Sequence, residues 1–205
     1  MCRKKKESLW LYLVTSPLAD GLLPMVCDAV RGGVTMVQLR DKLATDDQLY
    51  EQGRALLEVL APAGVPLIVN DRLDVAYALG CGLHIGLGDA EPGAARSKLG
   101  SDAWLGITIH GDTGRARRYR AVADYVGSGP VFPTRTKPDA KSVLGTDALK
   151  RIVRDSPLPV VAIGGIGPDN IGLVRSAGPA GAAVCSSICS SEDPEAAASM
   201  LSRRY

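Results

Sequence analysis

Pro159-Val160-Val161-Ala162-Ile163-Gly164-Gly165-Ile166 carries no polar side chain and is interrupted only by two adjacent glycines near its end. A strand with one wet face would alternate apolar and polar residues. This one does not, so it predicts a strand covered on both faces, as in a parallel sheet. Similar runs lie on either side of it in the chain: Leu11 to Thr15, Thr35 to Arg40, Pro66 to Asn70, Gly82 to Gly86, Trp104 to His110, Tyr125 to Val131 and Gly181 to Ile188. With the quoted stretch they make eight.

Helical spacing fills the intervals. Asp46 to Leu60 places Leu49, Gly53, Leu56, Leu57 and Leu60 on one side, and Asp169 to Ala177 places Ile171, Leu173 and Val174 together before Gly178. Asp193-Pro194-Glu195 has the N-cap, first-turn proline and early acid of a helix start, and Asp46 and Asp169 are expected to cap in the same way. Strand and helix alternating eight times predict a single-domain (β/α)8 TIM barrel over residues 1–205, with a short basic tail over about residues 1–8. A doubly wound open sheet is the alternative; eight units of similar size favour closure.

Composition agrees with one globular domain: 205 residues, 46% hydrophobic, 22% charged, net charge +2. Aromatics are only 4%, which predicts an aliphatic core of Val, Ile, Leu and Ala. The near-neutral charge gives no basic stripe for nucleic acid; Arg3-Lys4-Lys5-Lys6 reads as a solvated tail and Arg115 to Arg120 as a wet helix face. Five cysteines without a CxxC pair read as reduced thiols, and no apolar stretch reaches the ~20 residues of a membrane span. The expected partners are therefore small molecules in the cytoplasm, with no nucleic acid and no membrane. The composition is compatible with a homo-oligomer.

In such a barrel the chemistry sits at the C-terminal ends of the strands. The second strand ends Gln38-Leu39-Arg40-Asp41-Lys42. Gln38 and Arg40 are two apart and share a face, and Arg40 with Lys42 makes an anion clamp; a salt bridge at the rim is the alternative. Asp71 after the third strand and Asp89 after the fourth suit Mg²⁺, which takes one or two carboxylates and completes its shell with water and substrate phosphate. Their alternatives are a helix N-cap for Asp71 and a turn for Asp89. On the fifth strand Thr108 and His110 share a face, with His110 read as a base or a structural residue. His84, within the fourth strand, reads as a satisfied core or rim histidine. Gly129-Pro130-Val131-Phe132-Pro133-Thr134-Arg135-Thr136-Lys137 reads as a phosphate loop, with hydroxyls at Thr134 and Thr136 and charge at Lys137. Gly165 allows close approach of a ligand to the backbone, and Ser186 with Ser187 opens a turn whose amides suit an oxyanion. The Pro-, Asp-, Ala- and Lys-rich stretch after Lys137 is the expected lid.

These motifs together (Gln38 to Lys42, Asn70-Asp71, Gly129 to Lys137, Gly164-Gly165-Ile166 and Ser186) resemble those of the thiamine-phosphate synthase family over nearly the whole chain. The long Gly-Pro-Val-Phe-Pro-Thr-x-Thr-Lys string is the specific element. The resemblance implies condensation of 4-amino-2-methyl-5-pyrimidinylmethyl diphosphate with 4-methyl-5-(2-phosphoethyl)thiazole, giving thiamine phosphate and pyrophosphate. It implies that Gln38, Arg40, Lys42, Asn70, Thr108 and Lys137 hold the pyrimidine diphosphate, with Leu39 and Asp41 in the same loop. It further implies that Asp71 and Asp89 bind Mg²⁺, and that Thr134, Arg135, Thr136, Gly165, Cys185 and Ser186 surround the thiazole phosphate. Arg40, Lys42, Thr108 and Lys137 would be the catalytic members. Three positions depart from the family pattern: Leu87 stands for the usual Gln, Thr108 for the usual Ser and Cys185 for the usual Val or Ile. Two other functions fit the same fold, a thiazole tautomerase using a histidine near His110 and a phosphate-ligand sensor without catalysis.

Overall fold

The computed structural model describes residues 6–17, 21–134, 136 and 142–204. Eight parallel strands close in sequence order: β1 (Leu11–Val14), β2 (Met36–Leu39), β3 (Leu67–Asn70), β4 (Gly82–Ile85), β5 (Leu105–Thr108), β6 (Tyr125–Ser128), β7 (Val160–Ile163) and β8 (Gly181–Val184), with β8 pairing back onto β1. The expected barrel is therefore present, and the open-sheet alternative is excluded by the β1–β8 pairing. A 3-10 turn at Lys6–Leu9 precedes β1.

The helices are α1 (Leu22–Arg31), α2 (Asp46–Leu60), α3 (Leu73–Leu79), α4 (Pro92–Leu99), α5 (Thr113–Arg118), α6 (Gly145–Asp155), α7 (Ile171–Ser176), α8 (Ser186–Cys189) and α9 (Pro194–Arg204). The longest, α2, has the bounds its periodicity predicts and buries Leu49, Gly53, Leu56 and Leu60. Its cap is Thr45 rather than Asp46. The Thr45 hydroxyl accepts from the Gln48 amide and the Gln48 side chain accepts from the Thr45 amide, while Asp46 in the first turn pairs with Arg72, its Oδ1 3.5 Å from Arg72 Nε. Asp193 does cap α9, its Oδ1 accepting from Ala196 N at 2.9 Å. Asp169 does not cap α7, which begins after Asn170. The last apolar run also divides: β8 stops at Val184, and Ser186 to Cys189 coil into α8.

Strand alternation sorts the core into two layers. Leu11, Leu13, Val37, Leu39, Val69, Leu83, Ile107 and Val126 point outward and pack beneath helices, and this shell is aliphatic as expected. The barrel interior differs. It holds Tyr12, Trp104 and Tyr125 with Leu9, Val14, Met36, Ile68, Val161 and Ala183. Trp104 and Tyr12 both meet the Tyr125 ring edge-on, with centroids 6.1 Å and 5.9 Å away. Gly106 makes this possible: a Cβ there would lie 2.1 Å from Tyr125 Cζ and 2.6 Å from His84 Nδ1. The aliphatic expectation thus fails for the interior, where three of the nine aromatic residues of the sequence meet.

Candidate active site

A cavity of about 1160 Å³ opens at the C-terminal ends of the strands. It is large beside the ~300–1,000 Å³ of a usual small-molecule site. Gln38, Arg40 and Lys42 from β2 and its loop, Asn70 and Asp71 from β3, Asp89 after β4, and Thr108 from β5 all line it. So do Thr134 and Thr136 after β6, Gly165 after β7, and Cys185 and Ser186 after β8.

The same alternation that turns Gln38 inward turns Leu39 outward, and Leu39 is packed in the shell, 1% exposed. Asp41 folds its own loop: its Oδ1 accepts from the amides of Leu43 (2.9 Å) and Ala44 (3.2 Å). Neither residue lines the cavity. Arg135, Lys137 and the expected lid over residues 138–141 lie outside the described residues.

Arg40 is half-buried at the cavity wall and makes no ion pair among the described residues. Lys42 Nζ lies 3.6 Å from Asp71 Oδ2. Asp71 is not a helix cap. It sits in the left-handed region, φ 54°, with its amide donating to His84 O and its side chain largely covered. Asp89 Oδ2 accepts from Gly86 N at 2.6 Å, which tightens the loop after β4 while leaving Oδ1 for another partner. Leu87, in this same loop, is exposed and lines the cavity.

The loops after β6 and β7 are joined backbone to backbone. Val131 N donates to Ile163 O (2.9 Å) and Phe132 N to Gly164 O (3.0 Å). Gly165 has φ 63°, and a Cβ on it would come within 2.4 Å of Pro133 O. Its small size is thus required by the neighbouring loop, beside any ligand. Ser187 Oγ donates to Ile166 O at 2.9 Å and fastens α8 to the β7 loop. Just inside, the Cys185 thiol donates to Cys189. That hydrogen bond lowers the Cys189 thiol to about 7 and raises Cys185, whose burial acts in the same upward direction.

The floor carries residues that sequence reasoning passed over. Tyr12 and Tyr125 line the cavity from inside the barrel, and burial pushes both phenols up. His84 lies between them and Thr108, hydrogen-bonded to each side. This agrees with a satisfied histidine, but one that also faces the cavity. The sequence offers only a polar-tipped ring within an apolar run as a signal for each tyrosine, and this does not tell an inward from an outward position. His110, φ 51°, has its Nδ1 2.7 Å from Gly129 O, so the ring nitrogen donates to the carbonyl.

Residues 11–188 match the family model described as thiamine monophosphate synthase. The chain belongs to this family. It is 45% identical over 201 residues to a thiamine-phosphate synthase of Xanthobacter autotrophicus, covering 96% of this chain and 95% of that protein. A thiamine-phosphate synthase of a Psychrobacter species is 43% identical over 205 residues, covering 97% and 96%. Among solved structures, thiamine phosphate pyrophosphorylase from Pyrococcus furiosus superposes with a TM-score of 0.87 at 32% identity, covering 97% of this chain and 96% of that one. For a member of the thiamine monophosphate synthase family, the cavity described above is the candidate active site. No helix among the described residues is long and apolar enough to cross a membrane.

Proposed function

We propose that this chain is a thiamine-phosphate synthase, a transferase that joins 4-amino-2-methyl-5-pyrimidinylmethyl diphosphate to 4-methyl-5-(2-phosphoethyl)thiazole in the cytoplasm. The observation that carries the reading is one shared cavity: Gln38, Arg40 and Lys42 from β2 and its loop, Asn70 from β3 and Thr108 from β5 line it together with Thr134, Thr136, Gly165 and Ser186. Family membership and the names of the relatives favour the synthase over the tautomerase and the sensor.

In this reading Arg40, Lys42 and Lys137 hold the diphosphate. Gln38, Asn70 and Thr108 orient the pyrimidine end. Thr134, Arg135, Thr136, Gly165, Cys185 and Ser186 receive the thiazole phosphate. The bond between the pyrimidine methylene carbon and the diphosphate oxygen breaks, and its electron pair leaves with pyrophosphate. The aminopyrimidine stabilises the resulting carbocation, and the thiazole nitrogen lone pair forms the new C–N bond. No strong general base is needed. What is needed is fixed positive charge where the anion departs, and preorganised charge of this kind is commonly the largest catalytic contribution.

Asp71 and Asp89 fit a Mg²⁺ ion that keeps several waters, because both carboxylates line the cavity and such a hard ion takes only one or two protein carboxylates beside water and substrate phosphate. When bound, the ion would neutralise the diphosphate. The purified protein given both substrates and Mg²⁺ should form thiamine phosphate, detected by chromatography. Formation of none, with a catalysed thiazole tautomerisation instead, would replace this reading by the tautomerase.

A further inference from the structure

Across the barrel floor runs one unbroken chain of hydrogen bonds. Gln38 Nε2 donates to the Tyr12 hydroxyl (2.8 Å), Tyr12 and Tyr125 hydroxyls lie 2.8 Å apart, the Tyr125 hydroxyl lies 3.1 Å from His84 Nδ1, and His84 Nε2 lies 3.0 Å from Thr108 Oγ1. Five strands contribute, β2, β1, β6, β4 and β5 in that order. Tyr12 and Tyr125 are 1% and 0% exposed, so each hydroxyl proton must find its acceptor inside the protein.

A hydroxyl has one proton to give, so the first donor sets the direction of all the rest. Tyr12 accepts from Gln38 and passes its own proton to the only other hydroxyl in the chain beside it, Tyr125. Tyr125 then has one proton left for His84 Nδ1. Nδ1 accepts, so in the neutral ring Nε2 carries the hydrogen and donates to Thr108 Oγ1. The Thr108 proton is left over, at a half-exposed residue on the cavity wall. The reverse direction with the same Gln38 donor would strand the Tyr12 proton at a 1% exposed atom, which costs the desolvation of an unmade bond.

We infer that Tyr125 is a positioning residue which, through this one-way chain, holds His84 as its Nε2–H tautomer and turns the Thr108 hydroxyl into a hydrogen-bond donor facing the cavity. Gly106 is part of the device, since a side chain there would occupy the space of the Tyr125 ring and His84 Nδ1. The link to catalysis rests on the proposed function, in which Thr108 meets the pyrimidine substrate. The tautomer does not.

The chain has two histidines, and they make opposite predictions. His110 Nδ1 faces the Gly129 carbonyl, which can only accept, so neutral His110 is the Nδ1–H tautomer. Long-range ¹H–¹⁵N correlation of the ¹⁵N-histidine-labelled, ligand-free protein should show one ring of each kind, with His84 assigned by loss of its signals in His84→Gln. An Nδ1–H or doubly protonated His84 overturns the inference without touching the proposed function. In Tyr125→Phe, His84 should lose its fixed tautomer while the His110 signals stay in place. In the synthase assay kcat should fall about tenfold, the scale of one lost hydrogen bond, with a smaller change in KM. A His84 tautomer unchanged in Tyr125→Phe would remove Tyr125 from the positioning role. A correct tautomer in a protein with no synthase activity would instead count against the proposed function alone.

Discussion

Lys42 Nζ stands 3.6 Å from Asp71 Oδ2, tying the loop after β2 to the end of β3. Lys42 is 54% exposed, and at 3.6 Å a pair with one partner so open to solvent contributes only about 0–1 kcal/mol to stability. Both residues line the cavity, and in the proposed function they receive the diphosphate and its counter-ion. Asp71→Asn keeps the shape and removes the charge. The variant should need a higher Mg²⁺ concentration for half-maximal activity while its melting temperature stays close to that of the parent. Activity at low Mg²⁺ equal to the parent's would take Asp71 out of the metal-binding role.

Lys137 ends the Thr134–Lys137 string. Lys137→Ala should lower kcat by about 10²–10³, the loss commonly seen when one preorganised donor is removed from a developing anion, and leave thermal unfolding unchanged. Steady-state kinetics beside a melting curve separates the two effects. An unaltered kcat would remove this residue from the leaving-group clamp.

The Cys185–Cys189 hydrogen bond gives a pH test. Because the Cys185 thiol donates to it, Cys189 is lowered to about 7, so its thiolate forms as pH rises through neutrality and is lost below. Alkylation of Cys189, followed by peptide mass spectrometry, should reach its half-maximal rate near pH 7. In Cys185→Ala the midpoint should move upward, since the remaining burial disfavours the charged form. A midpoint that does not move would show that the two thiols are not coupled.

Gly106→Ala places a Cβ 2.1 Å from Tyr125 Cζ in the middle of the barrel. Overpacking of a closed interior typically costs about 1–3 kcal/mol, and here the ring has Trp104 and Tyr12 against its other sides. Urea unfolding should show a loss of that size. No loss would mean that the interior has room to shift.

The strands were legible because each is buried on both faces and so reads as an uninterrupted apolar run. Even the ends of the runs, Arg40, Asn70 and His110, fall where the cavity opens. What was hidden follows from the same physics. Tyr12 in Leu11-Tyr12-Leu13-Val14 looks like one more apolar residue, because a one-dimensional run does not distinguish the inward from the outward position. Its hydroxyl gains a meaning only when the register brings Gln38 and Tyr125 to it. The turn expected at Ser186 and Ser187 is there, but the run Gly181 to Ile188 read as one strand ends at Val184, and its last residues coil into α8. Asp46 and Thr45 are both good caps, and the choice went to the residue whose partner three positions on, Gln48, could reciprocate.

The departing anion is the centre of the proposal, so its appearance is the quantity to follow. Single-turnover mixing of the protein with pyrimidine diphosphate, thiazole phosphate and Mg²⁺, with pyrophosphate read continuously by a coupled enzyme, should give one pyrophosphate per thiamine phosphate. In Arg40→Ala that burst should slow by about 10²–10³. No pyrophosphate from the parent protein, or an equal burst from the variant, would contradict it.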